Sequence, residues 1–300
     1  MKGQDTEQRA AGRRFVYLQP EDIRKLATFE FAPKAVVEGY LAGRHRSRAR
    51  GPSIEFRDYR PYVAGDDPAR VDWRVFARTD RYYLRTFEQE TNMDGHIFLD
   101  SSASMGFGAP LSKLAYASFF AAALAYLIIH CTDRVSLQIF DDRIRQFIAP
   151  GSTSAHLQSL MHALEHNQPG GRTSLAVALR RSFPLLKRKG VLVVLSDFFD
   201  DPAEIFAALS PYLHRGFKVH LFHVLTPAEL ELNRHGLAAF TDMETRRRVV
   251  AHADLIRVDY RQAMLGHVAH LRELAVRRGV GYALARTDTH YFQLFDRLTS

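Results

Sequence analysis

From about residue 95 to the end, short apolar runs of strand length alternate with longer runs of helical period, and this alternation constrains the fold more than any other property of the chain. The strand-like runs are His96 to Asp100, Val135 to Phe140, Val191 to Ser196, Lys218 to Val224 and Tyr282 to Arg286. Helical runs fall at Leu114 to Ile129, near Ala155 to Leu164 and Leu175 to Leu186, at Pro202 to Arg215 and around Ile256 to Arg278, with a closing helix after the last strand. Strands that are apolar almost continuously bury both faces, which demands helices on both sides of a parallel sheet. The expected fold class is α/β, with a doubly wound, mostly parallel sheet.

The first 94 residues read differently. Pro, Gly and Arg punctuate them, and the stretch 53–90 mixes β-formers with turn signals at Gly65 and Pro68. Two regions are expected: a helical and extended arm over 1–94, and the α/β domain over 95–300 with an inserted hairpin near 238–250, where AAFTD and RRRVV flank a turn at Met243 to Thr245.

With 46% apolar residues the chain can bury a sizeable core, which excludes a disordered polymer. The run Leu114 to Ile129 is rather short and alanine-rich for a membrane span, so a helix buried against the sheet is expected. The single cysteine, Cys131, and a first segment without the apolar core of a signal peptide point to the reducing cytoplasm. A net charge of +8 suits an anionic partner, but 33 acidic residues are interspersed along the chain. Only Arg44 to Arg50 is a concentrated basic run, and no nucleic-acid partner is expected from it.

In an open parallel sheet, ligands bind beyond the carboxyl ends of the strands where the strand order reverses. The first strand delivers Asp100 to that edge, and Ser102 and Ser104 follow in the loop, with Ser101 and Ala103 facing away. The strand ending at Ser196 brings Asp197 to the same edge, and Thr173 lies in the glycine-bearing loop PGGRTS before a helix. Such hard oxygen donors favour Mg²⁺, Mn²⁺ or Ca²⁺. The plainer alternative is a set of helix caps and turns, with Ser174 in place of Thr173.

The five positions Asp100, Ser102, Ser104, Thr173 and Asp197 resemble, in order, the metal-ion-dependent adhesion site of von Willebrand factor A domains. The resemblance implies a von Willebrand A or Rossmann-like fold and a cation with one open position that a partner's Asp or Glu fills. The arm sequence EFRDYRPYVAGDDPARVDWRVFART, with Glu55, Phe56, Arg60, Tyr62, Gly65, Asp66, Asp67, Asp72, Trp73, Ala77 and Arg78, resembles the bacterial domain-of-unknown-function 58 family. Members often carry two amino-terminal membrane helices, which this sequence lacks. The resemblance implies a soluble member acting beside a MoxR-type AAA+ ATPase, in a chaperone-like or assembly role.

The motif His162, Glu165, His166 matches H-x-x-E-H but offers no third zinc ligand. Asp66 and Asp67 read as a turn paired with arginines, and Trp73 as a packing anchor beside Val71 and Val75. No nucleophile elbow or P-loop occurs. The expected function is a non-enzymatic, metal-dependent protein-interaction module. The alternatives are a metal-dependent phosphoesterase, with Arg172 as its cationic clamp, and a nucleic-acid-binding protein working through Arg44 to Arg50.

Overall fold

The computed structural model describes residues 15–28, 54–62, 71–89, 94–131 and 133–298. The basic run Arg44 to Arg50 and the pair Asp66 and Asp67 lie outside these residues. The chain forms two compact units, one of 1–43 with 93–300 and the other of 44–92.

The larger unit is built on a six-stranded sheet of order β10-β7-β6-β3-β4-β5. Its strands are β3 (Asp94–Asp100), β4 (Arg134–Phe140), β5 (Ile144–Gly151), β6 (Gly190–Ser196), β7 (Lys218–Leu225) and β10 (Gly281–Arg286). Five are parallel, and β5 runs antiparallel to β4 at the edge. That edge strand was not expected from the sequence. Arg145, Gln146 and Pro150 interrupt its apolar pattern, and most of its residues remain partly exposed because only one neighbour covers it.

Two helical layers cover the sheet. On one face lie α1 (Pro20–Thr28), α3 (Lys113–His130), α4 (Ser154–Glu165) and the 3₁₀ segment Tyr291–Arg297. On the other lie α5 (Leu175–Ser182), α6 (Pro202–Arg215) and α8 (Ala253–Arg277). The period of two in β3 divides its side chains between these layers, Ile97 and Leu99 to the first and Phe98 to the second. Each such fully buried apolar side chain stabilises the fold by ~1.5–3 kcal/mol relative to exposure.

Helix α3 is apolar all round and buried along 15 of its 18 residues. It is the one helix among the described residues long and apolar enough to cross a membrane, and the fold uses it as a core helix. Ser112 caps it, its hydroxyl accepting the Ala115 N–H at 3.2 Å. Phe120 packs against Phe222 of the sheet and Phe295 of the closing 3₁₀ segment.

Leu18 and Leu26 are buried in the same core as α3, and Val16 donates its N–H to Glu165 at 2.7 Å. The segment 15–28 therefore belongs to the α/β unit and not to an arm spanning 1–94. The second unit, 44–92, contains β1 (Ile54–Pro61) and β2 (Tyr83–Gln89), paired antiparallel, with α2 (Trp73–Thr79) between them. Asp72 caps α2 by accepting the Arg74 N–H. Trp73 is 60% exposed, so it is not the packing anchor expected. The first turn of α2 turns it outward, edge-on to Phe76 and Tyr82, which stack on each other at 4.5 Å.

The remaining elements are the 3₁₀ segments Ala103–Gly106 and Phe183–Leu185, the one-turn helix α7 (Pro227–Glu231) and the two-stranded hairpin β8 (Leu237–Thr241) and β9 (Arg248–His252), which leads into α8.

Candidate metal centre

The strand order reverses between β3 and β6. The connection from β3 leads to β4 on one side, and that from β6 leads to β7 on the other. The carboxyl ends of these two adjacent strands carry Asp100 and Asp197, both fully buried. An open α/β sheet forms its ligand crevice at this position.

Asp100 is enclosed by donors. Its Oδ1 accepts the Ser102 N–H at 2.9 Å, and its Oδ2 accepts the Ser196 hydroxyl at 2.6 Å. The Thr173 hydroxyl lies 2.9 Å from Oδ2 and 3.1 Å from Oδ1. Thr173 spends its proton on Asp100, so its lone pairs are free to face a cation. Ser174, not Thr173, stands at the N-cap of α5, and it makes no side-chain cap bond. The Ser102 and Ser104 hydroxyl oxygens lie 3.0 Å apart.

The intervening Ser101 points elsewhere and ties two loops together. Its hydroxyl donates to Asn167 at 2.7 Å and to the Gln168 carbonyl at 3.1 Å, while Arg145 donates to that same hydroxyl and carbonyl. Backbone bonds Gly170 N–H to Ser101 O and Ala103 N–H to Gly171 O complete the seam. Gly171 has φ +77°, and a Cβ there would stand 2.8 Å from Asp141 Oδ2, so glycine is required for the close approach that carries Thr173 to Asp100.

Asp197 contributes differently. Its Oδ2 accepts a hydrogen bond from the Lys113 ammonium at 2.7 Å, and its buried Oδ1 has no hydrogen-bond partner among the described residues. Lys113, the first residue of α3, is itself fully buried and donates also to Glu229 Oε1 at 2.6 Å. Glu229 is held for this by a capping box on α7, in which it exchanges hydrogen bonds with Thr226. Burial alone would pull Lys113 down, but Asp197 and Glu229 offset this and raise its pKa.

The electrostatics are those of a site short of positive charge. Burial first, and the Asp197 charge second, push Asp100 up to about 7, although the Ser196 and Ser102 hydrogen bonds favour its ionised form. Burial also raises Asp200, which accepts the Leu175 N–H at 2.6 Å. Burial likewise raises Glu244, at the tip of the β8–β9 hairpin, and proximity to the Thr173 backbone and the Ser104 side chain offsets part of that rise.

A hard divalent cation fits this donor set. Two buried carboxylates, one with an oxygen unpartnered among the described residues, and three hydroxyls gather at the switch in strand order. Among the described residues no three His, Cys, Asp or Glu side chains form a metal cage, so a cation here would depend on the hydroxyls. Of the five residues singled out from the sequence, Asp100 is bonded to Ser102 and Thr173, Ser102 touches Ser104, and Asp197 joins through its charge. Lys113, Ser196, Glu229 and Glu244 were missed. A lysine directly before an alanine-rich apolar helix was the one available signal.

The H-x-x-E-H residues do other work. The His162 and His166 rings stack at 4.0 Å, and Glu165 holds the Val16 N–H. His223, beside Asp197, is fully buried and pushed down to about 3 chiefly by that burial.

Comparison with known proteins places this geometry in context. Uncharacterized proteins of Mycobacterium tuberculosis H37Rv and Mycobacterium bovis are 29% identical over 276 residues, covering 90% of this chain and 86% of each relative. Among solved structures, BatB from Bacteroides thetaiotaomicron matches 69% of this chain and 97% of its own, with 16% identity and a TM-score of 0.47. A von Willebrand factor type A protein from Catenulispora acidiphila matches 72% of this chain and 43% of its own, with 12% identity and a TM-score of 0.39. The model of the family described as proteins of unknown function DUF58 matches residues 58–270, well over half of the chain, and the chain therefore belongs to the DUF58 family.

Proposed function

We propose that this protein is a non-enzymatic interaction module that uses a divalent cation, Mg²⁺ in the first instance, to grip a carboxylate of a partner protein. The observation that carries the reading is the convergence of Asp100, Ser102, Ser104, Thr173 and Asp197 at the strand-order switch, with a buried Asp197 oxygen lacking any partner among the described residues. When bound, the cation would supply an attractive, charge-selective contact for an anionic side chain. Asp100 and the hydroxyls would hold it, and Lys113 would keep Asp197 in place.

The hydroxyls argue against a serine or threonine nucleophile. Ser102 pairs with Ser104, Thr173 donates to Asp100, and among the described residues no histidine reaches any of them. A serine or threonine nucleophile needs such a base. The family resemblance points to a MoxR-type AAA+ ATPase as the partner and to assembly or maturation of protein complexes in the cytoplasm as the setting.

The test is a pair of experiments. Mg²⁺ or Mn²⁺ should raise the thermal midpoint of the wild type and leave Asp100→Ala unmoved. Affinity capture with and without chelator should then retain an AAA+ ATPase only when the cation is present. A thermal midpoint indifferent to both cations would remove the reading.

A further inference from the structure

The inserted hairpin places a carboxylate on the candidate cation site. Strands β8 and β9 pair from Leu237 with His252 up to Thr241 with Arg248, leaving a six-residue turn, 242–247. Asp242 organises that turn, its Oδ1 accepting the N–H groups of Glu244 at 2.8 Å and Thr245 at 2.9 Å. Arg246 adopts the left-handed conformation with φ 61° and closes the turn onto the Asp242 carbonyl.

The tip so formed faces the loops that carry the site. Met243, Glu244 and Arg246 line one wall of a groove of about 370 Å³, and Ala103, Gly106 and 169–172 line the other. A Cβ on Gly106 would stand 3.6 Å from the Met243 methyl group. Across that groove Glu244 is near enough to the Ser104 side chain, the Thr173 backbone, Asp197 and Asp200 for each to influence its ionisation. These neighbours include three of the five residues proposed to surround the cation. Among the described residues, no lysine or arginine is ion-paired with Glu244.

Arg172 and Arg246 line the same groove without pairing to Glu244, and a half-buried carboxylate near other carboxylates keeps its charge more readily when a cation lies between them. We propose that Glu244 is an internal ligand of the cation held by Asp100, Ser102, Ser104 and Thr173, so that the hairpin caps the site and a partner's carboxylate must displace it. The inference rests on the cation reading above. It adds regulation to that reading: the free protein is self-capped, and partner affinity is set by the difference between Glu244 and the incoming carboxylate.

The probe is Mn²⁺ alone, added to wild type, Glu244→Gln and Asp100→Ala, with water-proton relaxation reporting affinity and the number of exchanging waters on the ion. Loss of one carboxylate ligand should weaken Mn²⁺ binding to Glu244→Gln about tenfold and add one fast-exchanging water. In the wild type, Mn²⁺ should also slow hydrogen exchange over 237–252, a readout that needs no variant. Binding abolished by Asp100→Ala but identical in wild type and Glu244→Gln, with unchanged exchange in the hairpin, would overturn the internal ligand and leave the cation site standing. Absence of Mn²⁺ binding in all three proteins would overturn both.

Discussion

Replacing Lys113 by methionine separates the two forces that hold the switch point together. Methionine preserves much of the side-chain volume in a site where lysine is fully buried, so the change is mainly the loss of one positive charge. That charge lies 2.7 Å from Asp197 and 2.6 Å from Glu229, and removing one partner from a buried ion pair destabilises by about 3–5 kcal/mol because the remaining charge is left uncompensated. In chelator, Lys113→Met should lose this amount in urea melts at pH 8. A divalent cation acts in the opposite sense. Saturation at a hundredfold Kd stabilises the wild type by about 2.7 kcal/mol. In the variant Asp197 no longer shares its charge with an ammonium, and one unit charge at ~4 Å in an effective dielectric of ~20 is worth about 4 kcal/mol. Even after relaxation, Mg²⁺ should bind the variant at least about tenfold more tightly and restore most of its lost stability. Isothermal calorimetry and paired melts measure both quantities. Equal destabilisation of Lys113→Met with and without Mg²⁺ would refute the idea that Lys113 and the cation compete for Asp197.

Three further outcomes are expected. Asp100 is raised by burial, and then by Asp197, from 3.8 to about 7, so in the cation-free protein its stabilising protonation is complete below about pH 4 and lost as pH rises through 7. A shift of that size corresponds to about 4 kcal/mol. Asp100→Asn should flatten the fall in stability between about pH 4 and 7 in urea melts with chelator, and should abolish a Mg²⁺ affinity that tightens in the wild type over the same interval. Gly171→Ala must leave φ +77° or push against Asp141, so it should displace Thr173 and weaken Mn²⁺ binding by about tenfold or more while the protein stays folded, as circular dichroism and titration would show. Glu165→Ala should change global stability by no more than about 1 kcal/mol but speed proteolysis within 15–28, because Glu165 anchors the Val16 N–H rather than a zinc ion.

The parts of the fold legible from sequence were those in which the local pattern and the tertiary role agree. The strands β3, β6 and β7 are buried almost throughout because both faces are covered, and their short apolar runs let their ends, and with them Asp100 and Asp197, be located by pattern. Thr173 followed because a glycine-bearing loop before a helix at a sheet edge has few places to go. Strand β5 was missed for the converse reason: an edge strand with one neighbour tolerates Arg145, Gln146 and Pro150, and its pairing with β4 leaves no strict alternation. Trp73 was misjudged because flanking valines suggest burial, whereas the residue's direction is set by the cap at Asp72 and the short helix that follows.

Lys113 and Glu244 were illegible for a deeper reason, which bears on how the site works. Charged residues at the start of a helix and at the tip of a hairpin are ordinarily solvated, and apart from the apolar helix that follows Lys113 nothing local marks these two as exceptions. Each acquires its role from a partner distant in sequence, Lys113 from Asp197 and Glu229, Glu244 from Ser104 and Thr173. The five residues of the site readable from the sequence are the ones proposed to surround the cation. The two that are unreadable set its charge balance and its access. Lys113 subtracts positive charge from what the site can still accept, and Glu244 occupies what the site can still offer. A relative with the same five residues but without a lysine before its first buried helix, or without a carboxylate at the hairpin tip, should hold its cation more tightly in the first case and expose it more fully in the second. Mn²⁺ titration with water relaxation would distinguish these two outcomes in such a relative, and the same affinity and hydration in both cases would count against this division of labour.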